Sequence, residues 1–352
     1  MKKMKVAVMD GIGQTSFVER EVPRPNEHEV LVELDYVGVC GSDLHYYESG
    51  AIGDYIVQPP FVLGHEAGGK VVEIGKGVTH LKVGDLVALE PGKTCGKCEF
   101  CRTGRYNLCP DVAFFATPPI DGVFQEYVTH DASLCFKLPD TVDTMSGALI
   151  EPLAVGFHAA FQGEAKIGQK AVITGAGAIG LVTLLALKAL GLNEIYVVDV
   201  MDNRLEKAKE LGATAVINGK KEDTVAKLRE YTQGKELDLA IDTTGSAFVV
   251  GQAIEAVKKG ANIVLVGYSP TGRMDLPISL FMDKELSLKS VFRYRHIYPL
   301  AIEAVASGRI NVKDIVTNVF EFADIQNALD SCVNNKQEIV KAVIQIKDPT
   351  LN

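Results

Sequence analysis

The stretch from Ala171 to Asp199 constrains the fold more tightly than any other. A β-favouring run, Ala171 to Thr174, leads into Gly175-Ala176-Gly177-Ala178-Ile179-Gly180. An amphipathic helical pattern follows over Ile179 to Leu190, and a second β-favouring run, Ile195 to Val198, closes on Asp199. Strand, G-x-G-x-x-G turn, helix, strand and acid in that order form the unit that binds a dinucleotide. Gly175 permits the tight turn, Gly177 lets the backbone approach a pyrophosphate, and Gly180 lets helix and strand pack closely. The helix start, with Ile179, presents N–H groups and partial positive charge to the phosphates. Asp199 is placed to accept both hydroxyls of an adenosine ribose and to repel a 2′-phosphate, so NAD is expected over NADP. Arg204 is expected to stack on adenine or to pair locally, although a nearby arginine can also serve a 2′-phosphate. A glycine turn that packs two elements without a ligand is the alternative.

The same rhythm continues through Asp202 to Leu211, Leu237 to Ile241, Ala253 to Lys258 and Ile263 to Val266. It predicts a parallel sheet with helices on both faces, with Val266 among the cofactor-binding positions. Upstream the texture differs. Lys5 to Met9, Val30 to Val37, Lys70 to Ile74 and Leu86 to Leu89 are short β-favouring runs separated by Gly, Pro and Asp turns, which predicts a partly closed β domain. The expected division is residues 1–153 with 293–352 as one domain and 154–292 as the other. A chain of 352 residues suits two cores better than one.

Net charge is −9, from 36 basic and 45 acidic residues, with no dense basic run. Binding to a phosphate backbone is therefore not expected. The apolar run within Met1 to Met9 is too short for a secretion signal, and Ala176 to Leu187 ends at Lys188, short of a membrane span. A soluble, cytoplasmic protein is expected. Its seven cysteines are odd in number and four of them are packed into one segment, which fits metal ligation in a reducing compartment better than disulfides.

Cys95-x2-Cys98-x2-Cys101-x7-Cys109 places four thiols in one short loop, a lobe of about residues 92–110. Four thiolates satisfy tetrahedral zinc with no open position, the mark of a structural site. A ferredoxin-type cluster would need three residues before the last cysteine, where this chain has seven. A second set is dispersed: Cys40, the pair His65-Glu66, and Glu151 before Pro152. Each alone has an ordinary reading, as a small buried hydrophobe, a core histidine or a helix-start acid. Together they hold thiolate, imidazole and carboxylate, a zinc ligand set. Cys135 and Cys332 lack partners in sequence and read as structural.

These residues, in this order, resemble the medium-chain zinc alcohol dehydrogenases, and most closely their sorbitol (L-iditol) and xylitol dehydrogenase branch. The likeness rests on Gly38 to Tyr47 (GVCGSDLHYY), Leu63-Gly64-His65-Glu66, Glu90-Pro91-Gly92, Gly104 to Leu108, Ala116-Thr117-Pro118-Pro119, Ala148 to Leu153 and Val291-Phe292-Arg293-Tyr294. The resemblance implies an α/β protein: a GroES-like catalytic domain split by an inserted Rossmann coenzyme domain. It implies two zinc ions, one structural and one catalytic, the latter on Cys40, His65 and Glu66, with Glu151 ligating directly or through the zinc water. It implies Ser42 as the hydroxyl that passes the substrate proton outward, His45 as a further relay, and Tyr46, Phe115, Glu151, Arg293 and Tyr294 as the lining of a polyol site. The expected reaction oxidises the C2 hydroxyl of sorbitol or xylitol to the ketose with hydride transfer to NAD, and the expected assembly is a homotetramer. Sibling zinc dehydrogenases acting on 2,3-butanediol or threonine are the enzyme alternative. An NAD-binding structural protein is the alternative from another class.

Overall fold

In the computed structural model, which describes residues 2–269 and 271–347, the expected run Val30 to Val37 forms the strand Glu29–Gly38. Its side chains are buried along most of its length because it is flanked by other strands. The strands Glu66–Ile74, Tyr127–Asp131 and Ala342–Gln345 all pair with it antiparallel. The last of these brings the C-terminal part of the chain into the same sheet and also pairs, in parallel, with Asn318–Glu321. Gly38 is in register with both Glu66 and Val343, and Val39 N–H donates to the Ala342 carbonyl at 3.0 Å. The chain then turns at Cys40 into the helix Gly41–Ser49, which ends at Gly50 in the left-handed region (φ 72°), where only glycine is unstrained.

The second sheet is parallel throughout its described length. Its order is Ala215–Asn218, Glu194–Asp199, Lys170–Thr174, Leu237–Asp242, Val257–Leu265 and Ser287–Ser290. The chain starts in the middle at Lys170–Thr174 and winds outward to either side, so the switch in direction lies at the end of this strand, where Gly175 follows. The expected helix runs Ala178–Ala189. It is not amphipathic: every residue from Gly180 to Leu187 is buried. One cover is the helix Thr144–Gln162, since a Cβ on Gly156 would come within 2.7 Å of the Val182 backbone.

Contact density divides the chain into Met1–Glu151 with Tyr298–Asn352, and Pro152–Ile297. Residues 152–153 and 293–297, expected in the first unit, thus fall in the second, and the division at Glu151-Pro152, where the sequence texture changes, lies inside the continuous helix Thr144–Gln162. The expected run Ala253 to Lys258 is likewise not one element. It crosses from the helix Ala247–Ala256 into the strand Val257–Leu265, a junction without a Gly or Pro to mark it. Instead Lys284 Nζ reaches back to this helix end and donates to the carbonyls of Ile254 (3.2 Å), Glu255 (3.0 Å) and Val257 (2.7 Å). Replacing Lys284 with Met strands those carbonyls and should cost about 1–3 kcal/mol, read as a lower urea midpoint at unchanged slope.

Candidate functional site

The pairing of Glu29–Gly38 with Glu66–Ile74 sets Glu66 opposite Gly38, two residues before Cys40. Ligand atoms of Cys40, His65 and Glu66 consequently lie within 4.8 Å of one another. His65 and Glu66 are buried and Cys40 is half-buried. Asp43, entirely buried, fixes the arrangement. Its Oδ2 accepts from Cys40 N–H at 2.9 Å, its Oδ1 accepts from Gly64 N–H at 2.9 Å, and the same Oδ1 lies 3.6 Å from His65 Nδ1. Burial pushes the Asp43 carboxyl up, but the charge and hydrogen bond of His65 and the two N–H donors outweigh it and hold it below the usual range. Burial likewise disfavours charge on His65, yet Asp43 and Cys40 draw positive charge to it. A buried site that attracts a cation and offers thiolate, imidazole and carboxylate is chemically suited to zinc.

Glu151 is buried but outside that 4.8 Å set. Ser42 is half-buried and His45 exposed on the first turns of Gly41–Ser49, while Tyr46 is buried with its ring 6.5 Å from Phe61. Phe115 packs on His130, ring centroids 4.6 Å apart. It is Phe114, absent from the expected set, whose ring lies 5.6 Å from His65. Arg293 and Tyr294 belong to the second unit, where Arg293 has φ 57°, costly for a residue with a Cβ, and sits over the Phe292 ring.

The sulfurs of Cys95, Cys98, Cys101 and Cys109 also cluster within 4.8 Å. Backbone N–H groups of Cys95, Cys98 and Cys101 point at sulfurs of the set, at 3.4–3.5 Å. The N–H groups of Lys97 and Cys98 draw the Cys95 thiol down to about 7, while burial and the neighbouring sulfurs push Cys98 and Cys109 up, as such crowding of thiols demands. Cys135 and Cys332 are buried away from both sets, and burial pushes both thiols up, as inert thiols require.

In the second unit Gly175 has φ 94°, and a Cβ on Gly180 would run into the Gly175 carbonyl. Arg204 lies beside Gly177. Asp199 accepts from Ala176 N–H (2.6 Å), Val200 N–H (2.7 Å) and Met201 N–H (2.9 Å), so it braces the glycine turn. Asp242, unremarked in the sequence, braces the other side. It accepts from the hydroxyls of Thr174 and Thr244 and from Gly245 N–H, and its carbonyl accepts from Val266 N–H. Ile179 is half-buried on the first turn of the helix.

Two family models match the chain, an alcohol dehydrogenase GroES-like domain over residues 26–140 and a zinc-binding dehydrogenase domain over residues 178–307. The sorbitol dehydrogenase of Bacillus subtilis (strain 168) is 40% identical over 343 residues, covering 97% of each chain. The chain belongs to the zinc-dependent medium-chain dehydrogenases, in their sorbitol dehydrogenase branch. The zinc-type alcohol dehydrogenase-like protein YdjJ of Escherichia coli (strain K12) is 46% identical over 351 residues, 99% of this chain and 100% of that protein. A solved Escherichia coli oxidoreductase described as of unknown specificity superposes with a TM-score of 0.94 at 45% identity, covering 99% of this chain and 100% of that one. The chain is thus an oxidoreductase with a GroES-like domain and a Rossmann-type sheet.

For this dehydrogenase the sequence reading missed Asp43 as an anchor, and also Glu90 and His130. Burial pushes Glu90 up to about 7, against a 2.8 Å hydrogen bond from Tyr106, with the charge of Glu151 adding to the rise. Glu90 and Tyr106 both stood in the motifs quoted above, and their contact joins the four-cysteine lobe to the core. His130 is buried with Nε2 2.8 Å from the Glu90 carbonyl, and burial lowers it to about 4. Because the folded state refuses a proton that the unfolded chain accepts, stability should fall as pH drops from about 6.5 toward 4, by on the order of 3 kcal/mol from this residue. His130→Gln keeps a donor for Glu90 and should flatten the pH dependence of the urea midpoint over that window relative to the parent protein.

Proposed function

We propose that this enzyme oxidises a secondary alcohol of a small polyol, at C2 of a sorbitol- or xylitol-type substrate, to the ketose with NAD as hydride acceptor. The observation that carries the reading is the buried convergence of Cys40, His65 and Glu66 in a chain of the sorbitol dehydrogenase branch. A zinc ion held by these three, with Glu151 at its water or on the metal itself, supplies the Lewis acidity that makes a substrate hydroxyl acidic near neutral pH. Ser42 Oγ takes the hydroxyl proton and passes it to His45, which is exposed and returns it to water. Tyr46, Phe115, Glu151, Arg293 and Tyr294 line the substrate, with enough polar groups to match several hydroxyls at once. Gly175, Gly177, Ile179 and Gly180 receive the pyrophosphate, Asp199 the adenosine ribose, and Arg204 and Val266 flank the cofactor. Cys95, Cys98, Cys101 and Cys109 hold a second, structural zinc. On the family resemblance the enzyme is a cytoplasmic homotetramer with a polyol or ketose as its partner and no nucleic acid or membrane.

The test is NAD reduction by zinc-replete protein over sorbitol, xylitol, ribitol, galactitol, 2,3-butanediol and threonine, with NADP in parallel. Polyols should turn over with NAD alone, and Glu151→Ala should lower kcat/KM by roughly 100-fold. Turnover of butanediol or threonine only would overturn the polyol assignment, and zinc and NAD binding without turnover would point to a structural NAD-binding protein. Elemental analysis should give two zinc ions per chain, one for each ligand cluster, falling to one in Cys98→Ser.

A further inference from the structure

Lys341 is among the largest fully buried side chains described, with 2% of its side chain exposed. A lysine is almost never so buried unless paired. It immediately precedes the strand Ala342–Gln345, whose pairing with Glu29–Gly38 carries it under the metal-ligand cluster. There Nζ donates to Oε2 of Glu66 and, at 2.9 Å, to the carbonyl of Val39, the residue before Cys40. It also faces the negative charge of Cys40 and Glu151. Glu66 is closed in from the other side as well: a Cβ on Gly38 would collide with Oε2 and stand 3.0 Å from Cδ. The Glu66 carboxylate is therefore held by an ammonium group and a bare backbone before any metal arrives.

We propose that Lys341 is a positioning residue for the metal centre, acting through Glu66. It occupies Oε2, so that a metal bound by Glu66 meets Oε1 without a competing ammonium group. It also offsets charge in a centre where a divalent cation would face the Cys40 thiolate and the carboxylates of Glu66, Glu151 and the buried Asp43. A buried cluster of that composition carries a net negative charge that Lys341 reduces, and buried uncompensated charge is costly. Fixing the carboxylate in advance also spares the metal the ordering of a flexible ligand. This inference rests on the assignment of zinc to Cys40, His65 and Glu66 made above, but not on the choice of substrate.

The experiment is chelator competition for zinc on the full chain, with the four-cysteine site as the internal control. Lys341→Met should weaken zinc at the Cys40 site by 10- to 100-fold, a range usual for loss of a group that orients a ligand, while the control site holds its metal. Lys341→Arg should recover most of the loss. In a Glu66→Gln background Lys341→Met should add nothing, since its effect passes through Glu66. Cobalt placed at the same site, with the lobe left on zinc, should show an altered visible band in Lys341→Met and a parent-like band in Lys341→Arg. If Lys341→Met alone does not fold, the double variant decides, because it should fold and bind zinc as Glu66→Gln does. Unchanged or tighter zinc in Lys341→Met overturns the proposal, as does an equal loss in both backgrounds, the signature of core packing. If no polyol is oxidised while these metal results hold, only the substrate reading fails.

Discussion

Much of the first unit is organised around Asp43, a carboxylate with no solvent exposure that draws together segments separated by twenty-odd residues. A charge in that position is tolerated only if its oxygens are well supplied with donors. They are: Cys40 N–H on one oxygen, and Gly64 N–H with His65 nearby on the other. The Cys40 bond also begins the helix Gly41–Ser49, and the Gly64 bond fixes the approach to the strand Glu66–Ile74. One carboxylate thus sets the start of a helix, the end of a loop and the facing of an imidazole. Remove it, and the two backbone N–H groups lose their buried acceptor and His65 its charged neighbour.

A similar device recurs in the second unit with different parts. Asp199 and Asp242 end the strands on either side of Lys170–Thr174, and both turn their carboxylates onto backbone N–H groups. Between them the glycine turn has little freedom, which a loop that must present N–H groups to a pyrophosphate requires. The sequence reading treated Asp199 only as a ribose acceptor. Its three backbone donors show that the acid also serves the turn.

What could be read in advance follows from how local each feature is. The strand, the glycine turn and the second strand from Lys170 to Asp199 are set by neighbouring residues, and their limits fell within one residue of expectation. The four-cysteine loop is legible for the same reason. Cys40, the pair His65-Glu66 and Glu151 are far apart in sequence, and spacing alone left each with an ordinary reading; their residue types together suggested a zinc set, and the resemblance assigned it. Register brings the first three together, and register depends on strands that pair across the whole unit. Lys341 was invisible for a further reason. A lysine in sequence is a surface residue until something is known to cover it, and here the cover is the sheet itself.

The two metal-ligand sets therefore differ in kind. Cys95 to Cys109 draw their N–H···S support from within the loop itself, so a metal ion bound there would need little help from the rest of the protein. The lobe is tied to the core by the hydroxyl of Tyr106 on Glu90 and by Lys93, which pairs with Glu29 and Asp131. The Cys40 set owes its shape to a strand end, a helix start and a strand from the C-terminal part of the chain, so it exists only once the sheet has closed. A site assembled last, from parts already rigid, is the one suited to hold a ligand geometry that chemistry depends on. A site that assembles itself is suited to hold a loop.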